Sequence, residues 1–264
     1  MAVVPERVQK KLSGLGGFYS LFIDSVVAGA DAMIHRRFVW REFIGQAWFI
    51  ASVCILPTIL IAIPFGIIIS LQVGNVARQV GATSFIGAVD ALGVLREAAP
   101  IVTALLLAGA GGSAICADLG SRNIKDEIDA LQVLGLSPVE RLVAPRVLAG
   151  LLVAILLNGI VAFSAVLSGY IFDVTVLHGT PGSFLGSFST FAKIDDFLVS
   201  TLKAAIFGVI AVVVAAYKGL NCKKGASGVG AAVNQSVVIT AITLFIVNLV
   251  VTEVYFALVP PRVT

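Results

Sequence analysis

The feature that most constrains this chain is a series of charge-free stretches long enough to cross a bilayer. Phe43 to Ala77 carries no charged residue, nor does Ala98 to Ala117, nor Val147 to Phe172. Gly225 to Thr252 is another, with its apolar core beginning near Val233, and Phe197 to Tyr217 holds only Lys203. About 20 consecutive apolar residues cross a hydrocarbon core, so five transmembrane helices are expected. Lys203 lies close enough to the start of its span for its ammonium to be expected to snorkel to the interface. Charged residues make up 12% of the chain, against about 25% in ordinary globular domains. The sequence therefore reads as one all-α integral membrane unit, residues 1–264, with no room for a separate soluble enzyme.

An odd number of spans puts the termini on opposite faces. With the N-terminus cytoplasmic, thirteen of the 18 Lys and Arg residues fall on the cytoplasmic side. That asymmetry predicts N-terminus in and C-terminus out. Asp24 and Asp31 interrupt the apolar region after the basic start, so the N-terminus is expected to be retained rather than cleaved. Within residues 1–42, Leu15, Phe18, Phe22, Val26 and Met33 recur at helical spacing, while Ser20, Asp24, Asp31 and His35 mark another face. This suits a helix lying in the membrane interface, a loose tail being the alternative. The five-span bundle then occupies 43–258.

Several function classes are disfavoured. Cys54, Cys116 and Cys222 are far apart and odd in number, and His35 and His178 stand alone, so no metal site or disulfide framework is expected. No basic patch is interleaved with aromatics, which argues against nucleic acid. No GxxxxGK[ST] occurs, so the chain cannot hold ATP in the P-loop manner. No Ser/His/Asp or paired-carboxylate constellation offers catalysis.

One polar segment interrupts the oily pattern: "SRNIKDEIDALQVLGLSPVERLVAPR", Ser121 to Arg146. Its charged residues would each cost about 2.5–3.5 kcal/mol at the bilayer centre, so it is expected outside the lipid. A short helix over about 123–135 is predicted, with Asn123 as N-cap and Asp126 and Glu127 in the first turn. Ile124, Ile128, Leu131 and Leu134 share one stripe, and Gly135 is placed for a left-handed cap. Ser137 and Glu140 then read as a capping box with Pro138 at the first helical position. So short a helix is marginal alone and needs a surface. That surface is its own bundle, a partner or both, and a merely solvated loop helix is the alternative.

Other positions carry weaker signals. "AGAGGSA" places Gly109, Gly112 and Ser113 where small residues let helices approach closely. Arg96 and Glu97 read either as interface anchors or as groups facing a cavity. Pro57 and Pro64 are placed to bend the first span. Asn158 and Asn248 are expected to hydrogen-bond across helices, and Glu253 is expected at an interface. "HGTPGS" and "NCKKGASG" read as loops.

From Arg96 to Gly150, "REAAPIVTALLLAGAGGSAICADLGSRNIKDEIDALQVLGLSPVERLVAPRVLAG" resembles the signature region of the MlaE/YrbE permease family. "FVWREF" (Phe38 to Phe43) and "AVNQSVVIT" (Ala232 to Thr240) are similar to YrbE subunits of actinobacterial Mce systems. The resemblance implies an ABC permease working with MCE-domain proteins on the outer side of the plasma membrane. It implies a second permease, identical or paralogous, and a hydrophobic lipid substrate, with import of fatty acids or related lipids. A cytosolic ABC ATPase dimer would use ATP and Mg, with no cofactor bound by this chain. The segment between spans two and three would be the coupling helix that seats in the ATPase, through Asp126, Glu127, Ile128, Asp129, Ala130 and Leu131, with Ile128 and Leu131 as the apolar anchor. Arg96, Glu97 and Pro100 match a "RELGP"-like motif near the family's lipid-handling cavity. Relatives often carry a basic residue in the small-residue run where this chain has Ala110, so that charge's role does not transfer. A self-contained secondary carrier and a non-transporting membrane scaffold are the alternatives.

Overall fold

The computed structural model describes residues 40–82 and 85–258. The interfacial helix expected before the first span lies outside them. Among the described residues regular structure is helical throughout: α1 (Trp40–Gln79), α2 (Ile86–Ile124), α3 (Glu127–Val133), α4 (Val139–Thr175), α5 (Pro181–Phe191), α6 (Ile194–Leu220) and α7 (Ala226–Leu258). Five of these, α1, α2, α4, α6 and α7, are long and apolar enough to cross a membrane. Each runs past its charge-free stretch at one end or both.

Two spans are not regular α-helices. α2 widens into π-helical turns at Ala91–Ala98 and Leu107–Gly111, and α4 opens with one at Val139–Val143. The first lies against Pro100, which has no N–H to donate back to the carbonyl one turn earlier. By contrast, Pro57 and Pro64 both sit inside an uninterrupted α1.

The core runs down α2, α4 and α6 and includes Ile115, Leu119, Val153, Leu157 and Val212. Glycines set the helix spacing. A Cβ on Gly66 of α1 would overlap the Ala165 carbonyl oxygen of α4, and one on Gly208 of α6 would lie 3.0 Å from the Gly150 carbonyl oxygen of α4. In the small-residue run, Gly112 faces Ala215 of α6 and Gly111 faces Cys54 and Ile50 of α1, whereas Gly109 borders open space. Ser113 donates to the carbonyl of Ala110 within its own helix at 3.0 Å. Within this run the close-packing positions are thus Gly111 and Gly112, not Gly109 or Ser113. As expected, Asn158 bonds across helices, donating to the Ser200 hydroxyl at 3.0 Å. Asn248 does not: its Oδ1 is buried without a partner among the described residues.

The helix after α2 differs from its expected boundaries. α2 continues through Asn123 to Ile124, so the N-cap of α3 is Asp126, held in the left-handed region at φ 57°. Asn123 instead donates its side-chain amide to the Cys222 carbonyl, at 3.2 Å. At the other end Gly135 takes φ +72° as expected. The Gly135 and Leu136 N–H groups close α3 on the carbonyls of Gln132 and Leu131, both at 2.9 Å. The Ser137 hydroxyl accepts from the Glu140 N–H at 3.4 Å, half of the expected box.

α5 is an element the sequence reading passed over as a loop. Thr180 caps it, its hydroxyl accepting from the Ser183 N–H at 3.3 Å, and Pro181 opens it. Its Phe184 inserts into the bundle beside Ile86 and Ala77.

Candidate functional site

Two charged constellations lie at opposite ends of the bundle. At the α3 end, Ile128 is buried in the bundle core and Leu131 packs against that core half-buried. Ile128 therefore fastens α3 to its own chain rather than facing outward as an anchor. The apolar surface that α3 offers comes from Val133, 88% exposed, and Leu134, 72% exposed. Asp126, Asp129 and Ala130 are exposed beside them, and Glu127 is half-buried. A groove of about 450 Å³ opens here, lined by Glu42 of α1, Arg122 of α2, Glu127, Leu131 and Leu134, and Arg141 of α4.

Beneath this surface runs a chain of ion pairs. Arg146 of α4 is wholly buried and donates from Nη2 to Oδ2 of Asp118 on α2 at 2.6 Å, and from Nη1 to the Leu142 carbonyl at 2.6 Å. Asp118 also lies 3.4 Å from Nε of Arg122, whose Nη1 is 3.5 Å from Oε2 of Glu127 in α3. A buried guanidinium is tolerable only when paired and hydrogen-bonded; Asp118 supplies the opposite charge, while Arg146 Nε has no partner among the described residues. The result is a continuous polar link from α3 through α2 to α4.

An exposed clamp holds α3 from the other side. Nζ of Lys224, in the α6–α7 loop, lies 2.6 Å from Oδ1 of Asp126. The hydrogen bond to Asp126, and then its charge, raise the Lys224 ammonium above its ordinary pKa of 10.5. A raised lysine contributes its stabilisation fully below its unfolded-state value and loses it as pH rises through the folded one. The clamp should therefore be insensitive to pH from 6 to 9, on the order of the range set by that linkage, and weaken in salt. Hydrogen exchange of the α3 amides, measured with and without added salt, checks this, and Lys224→Gln should reduce the salt dependence to the part that the Arg122–Glu127 pair contributes.

At the α5 end, Lys203 departs from expectation. Rather than snorkelling, it is 1% exposed and bonds both oxygens of Glu97 on α2 at 3.0 Å, with the Thr252 hydroxyl of α7 at 2.8 Å. A carboxylate partner on the neighbouring helix outweighs a climb to the interface, because pairing avoids the cost of an isolated charge in lipid. Arg96 adjoins this triad. Its guanidinium is 4.4 Å from the ring centroids of both Tyr255 and Phe256 and 3.9 Å from Asp196, while its Nε is buried without a partner among the described residues. Pro100 is buried one turn further along α2. Arg96 and Glu97 are thus brought together with Lys203, Asp196, Thr252 and Tyr255, none of which sequence reasoning assigned to a site.

A third group escaped sequence reasoning altogether. Asp90 and Asp173 are buried, each with an Oδ1 that has no partner among the described residues, and the Ser70 hydroxyl donates to Asp90 at 2.7 Å. The only available signal was the presence of single acids at the ends of oily runs.

The sequence model of a family described as "Permease MlaE" matches residues 43–254. A probable ABC transporter permease protein, slr1045, of Synechocystis is 34% identical over 69% of this chain and 70% of its own length. A probable ABC transporter permease protein of Rickettsia felis is 31% identical over 96% of both chains. Protein Trigalactosyldiacylglycerol 1, chloroplastic, of Arabidopsis thaliana is 29% identical over 78% of this chain and 57% of its own length.

Proposed function

The chain belongs to the MlaE permease family, and from that premise we propose that it is the membrane subunit of an ATP-driven lipid transporter, moved through α3 by a separate ATPase. The observation that carries the reading is the build of α3. It is pinned to its own bundle by Ile128 and by the Glu127–Arg122–Asp118–Arg146 link, yet it leaves Val133 and Leu134 bare beside exposed carboxylates. An apolar centre with a polar rim is what a protein partner's groove accepts. The absence of a P-loop from the sequence supports a separate fuel subunit.

On this reading the α3 end faces the cytoplasm, in keeping with the Lys and Arg asymmetry, and the membrane is the plasma membrane. An ABC ATPase dimer, using ATP and Mg, seats on α3 through Asp126, Glu127, Asp129, Ala130 and Leu131 together with Val133 and Leu134. A second permease, identical or paralogous, completes the path, and MCE-domain proteins dock outside for lipid or fatty-acid import. The name of the Arabidopsis relative, which contains a galactolipid, supports a lipid as cargo. Arg96, Glu97 and Pro100 border the substrate path. Closure of the ATPase pair displaces α3, and the ion-pair link passes that displacement to α2 and α4, changing access to the path.

The expected result for Leu134→Asp is a permease that still inserts in the membrane but no longer co-purifies with an ATPase. Since Leu134 is exposed, the substitution leaves the core untouched. Recovery of the ATPase at the wild-type yield would refute the docking surface.

A further inference from the structure

The leaflet at the α5 end meets a groove of about 530 Å³, walled by Leu95 of α2, Phe163 and Tyr170 of α4, Phe184 and Phe188 of α5, and Phe197 of α6. Its wall is ordered by aromatic packing. Tyr170 meets Phe184 edge-on at 5.3 Å between centroids, and Phe184 stacks on Phe188 at 6.3 Å. At its inner end is Gly159, where a Cβ would meet nothing within 4 Å. Phe163 stands on the lip, 70% exposed.

Size and depth decide the occupant. A helix is about 10 Å across, so this volume would enclose only about one turn of it, whereas an acyl chain about half as wide can lie within it along its length. The lining stripe on α4 runs from Gly159 to Tyr170, about 16 Å at 1.5 Å per residue. That is roughly half of a 30 Å hydrocarbon core, the depth of one leaflet. Tyr170 ends the stripe nearest the bundle's α5 end, where an apolar ring with a hydroxyl suits the headgroup level. We propose that this groove is a binding site for a single acyl chain of a lipid in that leaflet, entered sideways between α4 and α6. Its place in a transport cycle rests on the lipid-transporter reading, but its occupancy does not.

The test uses the full chain alone in phosphatidylglycerol nanodiscs, without ATPase or ATP. Two probes are compared, a diazirine-bearing palmitate and a phosphatidylethanolamine carrying the same acyl chain, so that a free acid is told from a phospholipid. After irradiation, adducts of either probe should concentrate on the Phe163 to Tyr170 and Phe184 to Phe188 segments and be competed by excess unlabelled lipid. Gly159→Phe, which fills the inner end, should lower this labelling about tenfold, the loss expected from forfeiting burial of roughly two methylene groups. Labelling of α7 around Ile242 and Phe245, which are also exposed, equal to that of the groove and resistant to competition would overturn the site. The competition in the unsubstituted chain decides the matter even if Gly159→Phe does not fold. Neither outcome touches the ATPase reading, which the Leu134→Asp experiment tests by itself.

Discussion

Asp118→Ala should destabilise the bundle by about 3 kcal/mol, because it strands a buried guanidinium. Arg146 has no exposure, and its other hydrogen bond, to the Leu142 carbonyl, carries no charge. Asp118 is itself 31% exposed, so solvent reaching it holds the cost at the lower end of the range for broken buried pairs. In thermal unfolding of the detergent-solubilised chain, this corresponds to a fall in Tm of roughly 6–12 °C for a protein of this size. Adding Arg146→Met should restore most of the loss, since removing both charges also removes their desolvation cost. A double variant as unstable as the single one would mean that Arg146 is held by packing rather than by its partner. The double variant should also separate stability from transmission. With α3 no longer tied to α4, ATP hydrolysis by the assembled transporter should persist while lipid transport falls, measured on the same preparation.

The second large effect is expected at the opposite end. Lys203→Met removes the cation that bonds both oxygens of Glu97 and reaches Thr252 of α7. Lys203 is buried but the Glu97 side chain is 35% exposed, so the stranded carboxylate can recruit water. The expected cost is therefore about 2 kcal/mol, below the range for a fully buried pair. Glu97→Gln in the Lys203→Met background should recover at least half of it, read as a double-mutant cycle on Tm. Lys203→Met with an unchanged Tm would show that the pair adds nothing to holding α2, α6 and α7 together.

Both effects concern contacts that single-helix reasoning does not reach. The spans themselves were legible, because an apolar run long enough to cross a bilayer needs no knowledge of its neighbours. The Gly135 cap was legible for the same reason: a left-handed residue after a periodic stripe is a local signature. Lys203 was misjudged because snorkelling is the answer for a helix alone in lipid, and its partner Glu97 lies on another span. The N-cap of α3 was displaced because Asn123 and Asp126 are both good capping residues. What chose between them was the persistence of α2, which carries Arg122 within reach of Asp118 and Glu127. "HGTPGS" was taken as punctuation although Thr180–Pro181 is also a helix start. Ile128 and Leu134 share a stripe in sequence, yet one is covered by the bundle and the other is bare. α3 is too short for a stripe to specify which part of it faces the protein.

The backbone contact between Gly66 and Ala165 and the Gly150–Gly208 crossing have a mechanical consequence. Where main chains touch, no side chain is left to reorient and take up slip, so α1, α4 and α6 form a stiff plate. α7 has no such seam and is the least buried of the spans. A displacement entering at one edge of this plate is expected to reach the other with little loss, leaving α7 as the span freest to shift.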